Sequence, residues 1–327
     1  MPHAFPRVAS LKTAAAFRDY LRACGAVIAF DEALDPPAAS PLAQPFERDG
    51  IRAGNRFCIL PMEGWDGTTD GEPSDLTSRR WQRFGTSGAK LIWGGEAVAV
   101  QHDGRANPNQ LVLTPRTAAA IAGLRETLVT AHRDRFGANA DGDLAIGLQL
   151  THSGRYARPA QKAVAEPQVA YAHPQLDRRF PAGVRMLSDG ELDRLADTFV
   201  AAATLAADAG YQFVDIKHCH GYLGHELLSA RRRDGRYGGS LDNRTRFLRT
   251  VADGIRAAAP QLRIAVRLSA FDMGPFVKGD DGVGVAEAGG PLSVFGALDS
   301  AAEDMDAALA DARELLALFE RIGVRWV

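Results

Sequence analysis

Apolar residues in this chain fall into short, nearly unbroken runs, separated by longer stretches in which they return every three or four positions. The runs lie at 57–61, 90–93, 144–150, 213–217, 263–268 and, last, 324–327. Continuous runs of that length predict parallel strands covered on both faces. The stretches between them predict helices with readable ends. Thr114–Pro115 predicts an N-cap with proline at the first helical position, ahead of a face made by Ile121, Leu124, Leu128 and Val129. Ser188 with Glu191 predicts a capping box, and Leu192, Leu195, Phe199 and Val200 follow on one stripe. Ser300 with Glu303 repeats that device before Met305, Leu309, Leu315, Leu316 and Phe319, with Gly323 closing the helix. A further helix over 241–259 stops at Pro260.

Strand–helix units in this order predict a parallel α/β fold, either a (β/α)8 TIM-type barrel or an open doubly wound sheet. Before the first strand, Asp49–Gly50 predicts a hairpin turn. Residues 1–45 read as an N-terminal extension with one helix near 13–24, and 46–327 as the main domain. The Gly/Pro-rich stretches 156–187 and 270–299 predict surface insertions. The placement of polar residues favours the barrel. "PMEG", "GGEA", "QLTHSGR" and "KHCHGYL" follow four successive strands, and Arg267 ends the fifth. In a barrel the βα loops converge on that face, whereas an open sheet gathers ligand contacts at one switch point. No GxGxxG or P-loop pattern follows any strand. "GDDGVGVAEAGG" has neither that spacing nor, by its pattern, a strand before it.

Composition narrows the function classes. The 327 residues suit one large α/β unit, and a formal net charge of −2 gives no reason to expect nucleic acid or an anionic membrane. Three scattered cysteines make neither a disulfide framework nor a cysteine-rich zinc site. There is no basic segment followed by an apolar one at the start, and no run of ~18 apolar residues. The expectation is a cytoplasmic protein acting on a small molecule, with homo-oligomerisation left open.

The densest chemistry lies in "VDIKHCHGYLGHELLSA", residues 214–230. His218, His220 and His225 could ligate zinc, but no carboxylate cluster accompanies them, and no metal is expected. Lys217, at a strand end, stands where Schiff-base lysines occur in barrels, so a lyase is one alternative reading. A non-catalytic remnant is another.

Four stretches carry a resemblance to the old yellow enzyme family of FMN-dependent NAD(P)H oxidoreductases: "NRFCILPM", "QLTHSGR", "VDIKHCHGYLGHELLSA" and "DGRYGGSLDNRTRF". The last is the most specific. The resemblance implies FMN across the top of a barrel and NAD(P)H as reductant. Pro61 and Met62 would pack at the flavin, Ala97 would approach with its backbone, and Gln149 would bond the pyrimidine side. Arg267 matches a cation beside the ring that stabilises charge on the reduced flavin. His220 would be the second member of the pair gripping an acceptor carbonyl, and Tyr222 the proton donor to the α carbon.

Three departures qualify this. Lys217 stands where the family's first gripping histidine falls, and an ammonium holds an oxyanion as a point charge, which leaves room for an anionic substrate. Glu63 follows Met62, where relatives carry a small or weakly polar residue. The chain ends at "GVRWV", about six strands in, whereas the family holds the FMN phosphate in loops after strands seven and eight. The expectation is therefore a barrel incomplete at its C-terminus.

Overall fold

The computed structural model describes residues 6–270, 276–287 and 305–327, in two units, 1–44 and 45–327. In the first unit, the helix Ala14–Ala23 is capped by Thr13, whose Oγ1 accepts the Ala16 N–H at 3.1 Å. Phe17 and Phe30 meet edge to face there, with centroids 5.0 Å apart.

The second unit is built on parallel strands: β1 (Cys58–Ile59), β2 (Leu91–Ile92), β3 (Ala97–Ala99), β4 (Ala145–Thr151), β5 (Phe213–Ile216) and β6 (Arg263–Ala265). Their spatial order is β6-β5-β4-β2-β1, with β3 continuing the line of β2 along β4. The order is monotonic in sequence, with no reversal at which a switch point could form. Such winding closes barrels, and it separates this sheet from the doubly wound alternative. Beyond β6 the chain returns at Trp326, which bridges Ala265 in parallel and accepts the Val266 N–H at 2.9 Å. The expected last strand at 324–327 is thus a single bridge in the expected place.

Why the strands read as unbroken apolar runs is clear from the two cores. Ile92, Ile146, Leu148, Leu150, Val214, Ile216, Ile264 and Val266 belong to the large core shared with the helices. Leu91, Ala145, Phe213, Ala265 and Trp326 form a second, interior cluster with Ile51 and Ala53. Alternate residues therefore serve the two faces of the strands. The interior cluster includes the hairpin Phe46–Arg48/Ile51–Ala53, whose turn is Asp49 (φ 51°) and Gly50 (φ 76°), as the sequence predicts.

The base of the barrel is packed tightly. Phe213 stacks on Trp326 at 5.4 Å and meets Trp93 at 5.6 Å. A Cβ at Gly147 would lie 2.2 Å from the Phe213 ring. Gly147→Ala is accordingly expected to destabilise the fold by about 1–3 kcal/mol through overpacking. A urea unfolding midpoint equal to wild type would contradict this.

The helices are α1 (Asp75–Thr86), α2 (Ala118–Phe136), α3 (Asp189–Asp208), α4 (Leu223–Leu228), α5 (Arg246–Ala258) and α6 (Ala310–Arg321). The Ser188–Glu191 capping box forms as expected. At α2 the cap falls later than the Thr114–Pro115 signal. Thr114 opens a turn, the helix begins at Ala118, and the Thr117 hydroxyl bonds the Val112 carbonyl. The helix expected over 241–259 is broken at Thr245 into Leu241–Arg244 and α5. In α6, Leu315 and Phe319 are buried but Leu316 is exposed. Ser300 and Glu303 lie outside the described residues. The glycine-rich stretch does follow a short strand: Phe276–Lys278 precedes it and pairs antiparallel with Gly284–Ala286 within it.

The 156–187 segment differs most from expectation. It is partly core: Gln168 to Tyr171 are buried, and Gln168–Val169 pairs in parallel with Arg185–Met186. The reason is Arg155, whose guanidinium is buried and binds Glu226 at 2.6 Å, the Tyr171 carbonyl at 3.0 Å, and Asp177. No described helix is long and apolar enough to cross a membrane.

Candidate active site at the C-terminal ends of the strands

The interior-facing parity that runs through Leu91, Ala145 and Phe213 continues upward to Trp93, Gln149, Asp215, Lys217 and Arg267. There it turns polar. Asp215 joins neighbouring strands. Its Oδ2 accepts from Trp93 Nε1 at 2.9 Å and from Gln149 Nε2 at 2.6 Å, and its Oδ1 accepts the Arg267 backbone N–H at 2.6 Å. Burial pushes the Asp215 carboxyl above its ordinary value, while these donors draw it back. Sequence reading missed Asp215 and Trp93. The available signal was an acidic residue inside the apolar run "FVDI", which only a partner on the next strand can satisfy.

Above Asp215, Lys217 Nζ lies 2.6 Å from Glu63 Oε1 and 3.8 Å from the centroid of the Tyr222 ring. The Tyr222 hydroxyl donates to Glu63 Oε2 at 2.7 Å, and Trp65 Nε1 donates to that same oxygen at 3.3 Å. The Lys217 and Glu63 side chains keep only 4% and 9% of their exposure. The Lys217 charge is thus already met by a carboxylate from 154 residues earlier in the chain. This changes the expectation that Lys217 stands open to an anionic substrate. Burial first, and then the Glu63 charge, push the Tyr222 phenol above its ordinary value, so it stays protonated.

The loop that carries Glu63 is itself anchored. Gly64 donates its N–H to Glu96 Oε1 at 2.7 Å, and Arg80 of α1 pairs with both Glu96 and Asp66. Burial raises the Glu96 carboxyl to about 7, with Arg80 pulling the other way.

After β5 the chain turns sharply. His220 (φ 63°) and Gly221 (φ 68°) are consecutive left-handed positions. The His220 N–H donates to Ser269 Oγ at 3.2 Å, and the Gly221 N–H donates to His225 Nδ1 at 2.9 Å. This turn leaves His220 exposed at the rim. Burial, followed by the nearby Lys217 and Arg267 cations, holds its imidazole below the ordinary value and therefore neutral at pH 7. His218 is buried, with Nδ1 3.0 Å from the Ile216 carbonyl, and burial lowers it to about 4. Two of the three histidines considered as zinc ligands thus already use a ring nitrogen within the fold.

The residues matched to a flavin also converge. Ala97 pairs with Gln149 and donates its N–H to the Met62 carbonyl at 3.2 Å. Gly94 fits between them: a Cβ there would lie 3.0 Å from the Gln149 nitrogen and 3.2 Å from the Pro61 Cβ. Pro61 is buried, while Met62 is exposed above it. The Ala97 carbonyl accepts from Gln110 at 3.0 Å, so both polar groups of its backbone are engaged. Arg267 is half-buried, and among the described residues its guanidinium has no hydrogen bond or ion pair.

Known proteins resemble this chain in sequence and in fold. The model of the NADH:flavin oxidoreductase / NADH oxidase family matches residues 42–314. An NADPH dehydrogenase of Geobacillus sp. (strain WCH70) is 29% identical over 247 residues, covering 72% of this chain and 64% of that protein. An NADH:flavin oxidoreductase of Gibberella zeae is 30% identical over 268 residues, covering 74% of this chain and 61% of that one. The chain thus spans about three fifths of the length of these relatives. Among solved structures, the old yellow enzyme from Pichia sp. AKU4542 superposes with a TM-score of 0.58 at 21% identity, covering 71% of this chain and 60% of the other. A 2-naphthoyl-CoA reductase complex gives 0.65 at 17% identity, covering 88% and 39%. Both likenesses are of fold, and that fold is the TIM barrel. By family model, motif and winding alike, the chain belongs to the NADH:flavin oxidoreductase family, that of the old yellow enzymes.

Proposed function

We propose that this chain carries the flavin face and the acceptor site of an FMN-dependent oxidoreductase. The observation that carries the reading is Arg267, a half-buried cation without a hydrogen bond or ion pair to its guanidinium among the described residues, at the strand ends where Pro61, Ala97 and Gln149 meet. Such a group suits a ring that becomes anionic on reduction. Pro61 and Met62 would hold one side of the ring and Gln149 its polar edge, while Gly94, lacking a Cβ, lets Pro61 and Gln149 pack together. Bound FMN would supply the redox chemistry, taking hydride from NAD(P)H and passing it to an electron-poor alkene.

The chain's own residues would supply the rest. The neutral His220 imidazole at the rim would donate a hydrogen bond to the acceptor carbonyl. Lys217 retains two further N–H donors beside its Glu63 bond and would serve the same oxygen. Tyr222, kept protonated by burial and by Glu63, would deliver the proton to the α carbon. The lyase alternative fares worse. The Lys217 nitrogen is already ion-paired to Glu63 at 2.6 Å and lies against the face of the Tyr222 ring, 3.8 Å from its centroid, rather than open to a carbonyl carbon.

The protein purified with excess FMN should turn yellow and be bleached anaerobically by NADPH or NADH. A colourless protein under those conditions would defeat the reading. Tyr222→Phe should slow reoxidation by 2-cyclohexenone about 100-fold or more while leaving bleaching by NADPH unchanged. Equal loss in both half-reactions, followed by stopped-flow absorbance, would remove Tyr222 from the proton-donor role.

A further inference from the structure

The Glu63 carboxylate receives both the Lys217 ammonium and the Tyr222 hydroxyl, at 2.6 and 2.7 Å on separate oxygens. If Tyr222 gave up its proton with Glu63 ionised, two anions would face each other across 2.7 Å beside one ammonium. Like charges at that separation oppose ionisation of both. Lys217 is badly placed to relieve this by donating to the phenol oxygen, because its Nζ sits over the ring face, 3.8 Å from the centroid. Glu63 accepts the hydroxyl directly and keeps 9% side-chain exposure, a route for proton exchange with solvent.

We propose that Glu63 is the proton relay behind Tyr222, with Lys217 as its counter-ion. The inference rests on the acceptor-reducing reading above. In the reactive state Glu63 carries a proton and donates it across the same 2.7 Å contact, with donor and acceptor exchanged. As the Tyr222 O–H bond breaks and a C–H bond forms at the acceptor's α carbon, the Glu63 O–H bond breaks and the phenol O–H bond is restored. The site is left with one carboxylate, held by Lys217, and solvent returns the proton. Overall the acceptor gains one proton from water through Glu63 and Tyr222, beside the hydride supplied by the cofactor. Of the other titratable groups nearby, Cys219 is kept a thiol by burial, at about 11, and His220 is held neutral.

The test uses the FMN-loaded chain, reduced anaerobically with NADPH and mixed with 2-cyclohexenone at a series of pH values. In wild type the reoxidation rate should fall as pH rises through one ionisation. Glu63→Gln should be slower by about 10-fold or more at low pH, with that ionisation gone from the profile. Glu63→Asp should restore the pH dependence. In parallel, tyrosinate absorbance of the flavin-free chain is titrated, with Tyr222→Phe as the blank. Glu63→Gln should bring the Tyr222 ionisation to lower pH, because no carboxylate then opposes the phenolate. Superimposable profiles for wild type and Glu63→Gln, in either measurement, overturn the relay. Failure of wild type to be reoxidised by any enone overturns the acceptor-reducing reading itself, and the titration still reads the Glu63–Tyr222 coupling by itself.

Discussion

Arg155→Met is expected to cost about 3–5 kcal/mol of unfolding free energy, the range seen when one partner of a buried ion pair is removed. Arg155 is 1% exposed and satisfies Glu226, Asp177 and the Tyr171 carbonyl together. Without it, the buried Glu226 carboxylate keeps, among the described residues, the Ala170 N–H at 2.8 Å. Burial already pushes that carboxyl up to about 7 against the pull of Arg155. Adding Glu226→Gln to the first change should recover part of the loss. A neutral amide oxygen can still accept from Ala170, and no uncompensated charge remains buried. Urea unfolding of the single and double variants measures this. A single variant within 1 kcal/mol of wild type would show that the 156–187 segment is not held by this pair.

The second large effect is on pH. Burial lowers His218 to about 4 and His152 likewise to about 4, well below the ordinary histidine value near 6.5. A histidine depressed in the folded state contributes stability that is fully present above about pH 6.5. That contribution is lost as pH falls through about 4, because the unfolded chain takes up the proton first. At about 1.4 kcal/mol per pKa unit, each ring contributes on the order of 3 kcal/mol. Glu96 and Glu226, both raised to about 7, bias the whole-protein curve the opposite way over the same interval. The histidine effect is therefore read as a difference. The stability advantage of wild type over His218→Asn should shrink by about 3 kcal/mol between pH 7.5 and 4. A constant difference across that range would mean that His218 is not held neutral by its burial.

Much of the fold was legible because the relevant interactions are local or periodic. The Asp49–Gly50 hairpin turn and the Ser188–Glu191 box depend on residues within four positions of each other, and both form as read. The strand positions followed from apolar runs. Those runs concealed an alternation, since Ile146 and Leu148 serve the helix side while Ala145 and Gly147 serve the interior, and apolar residues suit both. The Thr114–Pro115 cap was misplaced because Thr117 found a partner at Val112, outside the helix. The 156–187 segment was misread because its burial depends on Arg155 reaching Glu226, 71 residues away.

The same division runs through the site. The sequence by itself determined that polar residues would gather at one end of the strands, because strand polarity and winding order put every C-terminal end on the same face. It also carried, in the motifs around His220 and Tyr222, the likeness to the family to which the chain belongs. What Lys217 does was decided only by the tertiary structure. Its charge is met by Glu63, from a loop three strands away in winding order, and no local pattern around either residue encodes that pairing. Asp215 is the parallel case, an isolated acid in an apolar strand until Trp93, Gln149 and Arg267 close around it. Charge and hydrogen-bond partnerships act through space over a few ångströms, and which side chains come that close is settled by the packing of the whole barrel.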